Sequence, residues 1–375
     1  MRLIAIIAAV LVVPAAAAQE GTIVYRLGKD TVAVESWNRR GNTLNGEMVG
    51  RGGAFVSRTA YQIMYDRGRP VSTTVKRLQP DGSPATTGPT EYRFTFRADS
   101  AIRETVWRDS TQRRAFAVGN AWPSLPVFIH APMEDLAKLG KGRRDSVPAI
   151  SLGGNVPGYV GLETLGGDTL RMRGGFYAWL MRFDRNNQLQ SVDGMLTTNK
   201  SIGLRVAGKA DIGALARAMR PAGTLSPRQV AGTTISQAPI FISYGQPSAR
   251  GRTVWGGQLV PFDSVWRTGA NEATHLATGK TLVFGDVTVP PGLYTLWTQH
   301  TRTGTWLIIN KQVGQWGTQY NPANDIGRVQ MDLKDVPNFA EELVIAVRTT
   351  GQNRGEIDFA WGDKVATSTF VVRTP

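Results

Sequence analysis

The residues best equipped for chemistry gather in one stretch, Trp266-Arg267-Thr268-Gly269-Ala270-Asn271-Glu272-Ala273-Thr274-His275-Leu276. Glu272 and His275 invite general acid–base work, and Arg267, with Arg252 a little upstream, offers paired donors to an anionic group. Spacing limits the first idea. If Glu272–Ala277 is a strand, residues three apart point to opposite faces, so Glu272 and His275 should not meet. Asn271, Ala273 and His275 would share one face, and Glu272, Thr274 and Leu276 the other. The favoured expectation is structural: Arg267 and Glu272 form an internal ion pair bracing a tight loop, Trp266 packs over it, and Asn271 bonds the turn backbone. A ligand-binding surface built on Arg252, Trp266, Arg267, Asn271 and Glu272 ranks next. Catalysis by Glu272 or His275 as general base ranks last.

Other site chemistry is weakly encoded. The three His, at 130, 275 and 300, show no HxH or HExxH spacing, and Cys is absent, so no metal site is expected. His130, beside Phe128 and Ile129, reads as a satisfied core residue. Asn321, Asn324 and Asp325 fit no oxygen-ligand loop and read as an ordinary turn. Neither a G-x-S-x-G elbow nor a phosphate-cradling Gly-rich loop opening a helix is present, and no cofactor is expected. Six of the ten Trp lie in the last 140 or so residues. Most should be core, with Trp316 and Tyr320, in a Gly/Asn/Pro-rich loop, as the rim residues most open to a ligand.

The elements that must hold these residues are strands. Thr31–Arg39 and Thr43–Arg51 alternate and are joined by Arg40-Gly41-Asn42, a hairpin signal. In Glu91–Arg97, Tyr92, Phe94 and Phe96 point one way and Arg93, Thr95 and Arg97 the other, as in a sheet covered on one side. Helices over about Leu125–Leu139 and Ile212–Met219 should cover it, the first broken near Ala131 by Pro132. The layout is that of an open half-barrel. Pro221–Ala231 has the Pro, Gly and Ser of a linker. Beyond it, ten short β-rich runs from Ile240–Tyr244 to Val365–Val372, separated by turns such as Pro290-Pro291-Gly292, read as a β-sandwich. Ile357, Phe359 and Trp361 should face inward. The fold class is thus mainly β: an antiparallel sheet or half-barrel with one or two helices over 19–220, a linker at 221–236, and an antiparallel sandwich over 237–375.

Separated motifs in the sandwich carry a family resemblance: Ile242-Ser243-Tyr244 with Pro247-Ser248, Arg250-Gly251-Arg252-Thr253, Gly257 to Pro261, Trp266 to Thr274, Pro291-Gly292 with Tyr294-Thr295-Leu296, Trp316-Gly317 with Tyr320, and Phe359-Ala360-Trp361. On these the chain, over about residues 237–373, resembles a secreted bacterial family known only as domain of unknown function 2911. Trp255 and Phe262 are less typical of it. The resemblance implies an exported β-domain and transfers no catalytic residue.

Arg2, the apolar run Leu3–Val13 and Ala16-Ala17-Ala18 read as a secretory signal cleaved after Ala18. The run is too short to span a bilayer, and no later apolar stretch approaches the roughly 20 residues needed. The mature chain is expected in the periplasm or outside the cell. Without Cys it must rely on burial for stability. Positive charge is confined to the first domain: residues 19–230 carry 30 Lys+Arg against 18 Asp+Glu, residues 231–375 carry 12 against 11. Such a field suits an anionic envelope component, a glycan or another polyanion. Nucleic acid is not expected, for no recognition motif accompanies the charge. The sequence thus predicts an exported ligand-binding or structural module, taking a hydrophobic ligand, glycan or envelope polymer, with a polymer hydrolase as the alternative. Oligomeric state is not legible.

Overall fold

A computed structural model describes residues 19–140, 144–174, 177–195, 197 and 199–373. The expected signal segment, 1–18, lies outside the described residues. The chain is mainly β and forms two sheets.

The first sheet has fifteen strands laid down as two meanders. One runs from Gln19–Leu27 outward to Thr111–Phe116, the other from Ile202–Val206 back to Trp122–Ser124. They join where Gln19–Leu27 pairs antiparallel with Ile202–Val206, Thr22 opposite Val206. Among the described residues of this sheet only Trp122–Ser124 pairs parallel, with Arg144–Ser151. The expected hairpin is present: Asp30–Arg40 and Thr43–Arg51 flank Gly41, whose φ of +55° a glycine accepts without strain. Tyr92, Phe94 and Phe96 are buried and their neighbours exposed, as their alternation predicts.

Accumulated twist curls this sheet so that its inner face encloses one core, including Ile23, Phe94, Trp122, Leu136 and Met181. Trp122, on one edge strand, comes within 6.1 Å of the Tyr65 ring from the far meander. Helix Met133–Gly140 fills the curl, with Leu136 and Ala137 buried. It begins just after Pro132 rather than at Leu125, because proline fits a helix's first turn and breaks its interior. Two anchored carboxylates hold it: Asp135 pairs with Arg39, and Glu134 accepts from Arg205 at 2.8 Å. Helix Ile212–Ala218 packs Ile212 and Ala216 on the opposite face, against Val34 and Val49. Strand Asp30–Arg40 is therefore covered on both sides, and Val32 to Trp37 are all buried.

The second sheet begins at Arg228, inside the stretch read as linker: Arg228–Ile235 pairs with Ala238–Gly245 along its whole length. Four of the expected short strands merge into two long ones, Asp325–Gly351 and Arg354–Val372. Register shifts between Asp335 and Val344 bend this hairpin without ending its pairing, so it passes from one layer to the other. Gln258–Phe262, expected as a strand, makes only single bridges through Val260 and Phe262. Central strand Thr305–Asn310 buries Leu307, Ile308 and Ile309 completely, and Ile357, Phe359 and Trp361 point inward.

Candidate functional site

Arg267 lies at the heart of a cleft between the two sheets. Strand Val265–Trp266 delivers it, and Thr268 then takes φ +54° and turns the chain away. The Arg267 stem lies under Gly317, where a Cβ would come within 1.8 Å of Cδ, so only glycine allows this approach. The residue is 7% exposed, and its Nε meets no acceptor. Among the described residues its guanidinium makes no hydrogen bond and no ion pair. Burial without a counter-ion pulls its pKa down to about 10.

The cleft holds about 300 Å³ and is lined by residues of both sheets. Arg51 and Lys200 come from the first, and Arg250, Arg252 and Arg267 from the second. Among the described residues no carboxylate lines it. Asp30, behind the lining, takes up Arg250 and lies 4.0 Å from Arg51; among the described residues Lys200, Arg252 and Arg267 form no ion pair within 4.0 Å, though Asp193 acts on Lys200 and Glu341 and Asp30 on Arg252 from farther off. Arg252 donates only to the carbonyls of Ala249 (2.9 Å) and Ser248 (3.0 Å), and Lys200 to that of Met195 (3.0 Å). Burial first, and then Arg267 and Arg252, push the Lys200 pKa down to about 8. Arg252 is lowered to about 10 by burial and by Arg250. Converging donors with no acceptor charge among them are chemically able to take up an anion. Asn271 (φ +62°) and the indole of Trp266 also line the cleft.

Sheet-to-sheet contact fixes the cleft's far wall. Lys29 N–H donates to the Arg250 carbonyl at 3.2 Å, and a Cβ on Gly28 (φ +61°) would come within 2.1 Å of that oxygen. Lys200 and Arg51 carry no local motif, and their role was not legible in sequence. The only signal was the first domain's positive balance.

The cleft therefore gathers four of the seven expected binding residues: Arg252, Trp266, Arg267 and Asn271. It does not gather Glu272, Trp316 or Tyr320. The expected Arg267–Glu272 pair does not form. Positive φ at Thr268 and Asn271 sends Arg267 inward and Glu272 to the surface, where its side chain is 56% exposed and lies 3.3 Å from Arg228. Asn271 holds the turn through its main chain, its carbonyl accepting from Gly317 N–H at 2.9 Å. Trp316 is exposed, as expected of a rim residue, but bridges to Glu272 on the outer surface. Tyr320 packs on Trp297 at 5.0 Å and bonds Asp325.

The strand itself starts at Thr274, so Glu272 lies before it and face alternation does not separate Glu272 from His275. Arg228 approaches both. Yet both ring nitrogens of His275 face donors, the Gly314 N–H 3.0 Å from Nε2 and the Arg228 guanidinium 3.1 Å from Nδ1, so neither is open to a substrate. Burial, then Arg228, lowers its pKa. Glu272→Gln should change stability by under about 1 kcal/mol, since it removes one exposed pair. A thermal melt checks this, and a drop of many degrees would contradict the surface placement. Among the described residues no three His, Asp or Glu are grouped to hold a metal.

A second polar cluster, invisible in sequence, lies inside the first sheet. Glu35 is fully buried and accepts from Tyr61 Oη (2.6 Å), Tyr25 Oη (3.3 Å), His130 N–H (2.8 Å) and Ala131 N–H (3.1 Å). Burial raises its pKa to about 7 against the lowering pull of these donors. His130 is a core residue as expected: its Nδ1 lies 2.8 Å from Tyr25 Oη, and burial lowers its pKa to about 3, so the ring is neutral. This carboxyl ties down the segment leading into helix Met133–Gly140.

No curated protein matches the chain. One solved chain, described as "Cell entry of botulinum neurotoxin type C is dependent upon interaction with two ganglioside molecules", aligns with 95% of this chain and 88% of its own at 7% identity. Its TM-score of 0.12 is too low to carry an argument. The first sheet has no family match. Residues 226–370, which hold nearly all of the second sheet and the Arg252–Asn271 wall of the cleft, match the family described as protein of unknown function (DUF2911).

Proposed function

We propose that the chain is an exported binding protein whose cleft between the two sheets captures an anionic ligand. The supporting observation is Arg267: a residue 7% exposed, its Nε buried without an acceptor and its guanidinium without hydrogen-bond or ionic partner among the described residues, beside Lys200 and Arg252 in a lining that has no carboxylate. Removing one charge of a buried pair costs about 3–5 kcal/mol, because it strands the other. A protein that leaves a buried charge stranded therefore has an energetic deficit that a bound anion would cancel. Export rests on the signal-like residues 1–18, and the positive balance of the first domain suits an anionic envelope component.

Calorimetric titration with inorganic phosphate, sulfate and acetate at constant ionic strength tests the reading. Saturable binding of at least one anionic compound, lost in Arg267→Met, is expected. No saturable binding of any anionic compound would overturn it.

The Lys200 shift gives the reading a pH signature. Its folded-state pKa lies below its unfolded value, so between about pH 8 and 10.5 the unfolded chain binds more protons there. The ligand-free protein should then gain stability as pH rises through this window. Anion affinity should fall over the same window, because the ammonium is lost. Melts and titrations between pH 7 and 10 check the opposed trends, which Lys200→Met should abolish.

A further inference from the structure

The cationic wall is only half of the cleft. Leu27, Val32 and Phe128 from the first sheet, and Leu225 and Leu259 beyond it, supply apolar lining beside the cations. Phe128 is the unusual member. It adopts φ +74°, a region that a bulky side chain enters only when its surroundings force it. What forces it is on both sides. Ile129 N–H closes a turn onto the Pro126 carbonyl at 3.2 Å, and the next two amides, of His130 and Ala131, are fastened to the buried Glu35 carboxylate. Held this way, the Phe128 ring faces the cleft on one side and lies 5.0 Å from the Tyr25 ring on the other. Behind Tyr25 lies the interior of the curled sheet. A strained aromatic thus stands between the cationic cleft and the interior of the curled sheet, where the Tyr25 hydroxyl meets Glu35 and His130.

We propose that the ligand is an anionic amphiphile: its head group sits on Arg267, Lys200 and Arg252, and its apolar chain lies along Leu27 and Leu225 beneath Phe128. This rests on the anion-binding reading and adds the ligand's second half. A small inorganic ion would satisfy the guanidinium and leave the apolar lining wet. A neutral lipid would cover that lining and leave three cations unpaired. Only a molecule carrying both parts answers both. Carboxylate and phosphate heads share this chemistry, Arg forming paired bonds with either.

Titration of the full chain with two homologous series, alkyl carboxylates and alkyl phosphates, each below its micellar concentration, tests the proposal and separates the two head groups. Acetate, inorganic phosphate and a neutral alkyl maltoside are the references. Affinity should climb about fourfold per methylene until the apolar lining is covered. The dodecyl members should bind at least 100-fold more tightly than acetate or phosphate and than the maltoside. Phe128→Gly, which removes ring and strain together, should weaken dodecyl ligands about tenfold and leave phosphate or acetate unchanged. Leu225→Ser, on the connector, should act the same way and guards against misfolding of the first variant. Alkyl ligands binding no better than their bare heads would overturn the amphiphile proposal while leaving anion capture standing. A maltoside binding as tightly as the anionic chains would also overturn it. If no anionic probe binds at all, the anion-binding reading fails as well.

Discussion

Replacing Arg267 by Met should raise the melting temperature of the ligand-free protein and erase its response to anions. Most buried-to-apolar changes at a polar site cost stability; this one should add it. The guanidinium has no partner to strand, and burial depresses its pKa from 12.5 to about 10, which at 1.36 kcal/mol per unit corresponds to about 3 kcal/mol of unfavourable confinement. That cost is present at every pH below about 10. Methionine keeps an unbranched stem beneath Gly317 and removes the charge. Swapping buried ions for apolar groups of similar volume stabilises some proteins by about 1–4 kcal/mol. Differential scanning calorimetry with and without saturating anion reads both effects. A melting temperature that falls in the ligand-free state would show that Arg267 braces the fold, and would remove the observation on which anion capture rests.

Glu35→Gln should produce the second large effect, and its mark is a change in pH dependence. The carboxyl's folded-state pKa of about 7 exceeds the unfolded value of 4.5, so its protonation contributes stability fully below pH 4.5. That contribution is lost as pH rises through about 7 and amounts to about 3 kcal/mol on the same conversion. Glutamine cannot ionise, so the loss between pH 4.5 and 8 should vanish from the variant's profile. The amide also offers one acceptor oxygen where the carboxylate has two for Tyr25, Tyr61, His130 and Ala131. Every pH should therefore show an added destabilisation of about 1–3 kcal/mol for the donor left unmet. Denaturant melts across this range separate the two parts. A variant profile parallel to the parent's would mean that Glu35 does not titrate there.

The two predictions concern linked parts of the molecule. Glu35 fastens the amides of His130 and Ala131, two and three residues beyond Phe128, and Phe128 forms one side of the cleft that Arg267 occupies.

Local pattern in the chain determined which stretches become strands and where they turn. Tyr92, Phe94 and Phe96 alternate with polar neighbours and are buried accordingly. Gly41 closes the predicted hairpin, Pro132 sets the start of the first helix, and the motifs from Ile242 to Trp361 mark the second sheet. Those signals are local, because side-chain direction repeats every two residues and proline and glycine act on their own φ. Tertiary structure alone decided what each charge meets. Glu35 lies in an alternating strand, and it is interior only because a sheet of fifteen strands curls round one helix and carries another on its back. Arg267 and Glu272 are near neighbours in sequence and were expected to pair, but two residues at positive φ turn them to opposite sides. Lys200, 67 positions before Arg267, meets it only because the two sheets dock through Gly28 and Arg250. Electrostatic partnership depends on distance through space, and spacing along a chain does not encode it.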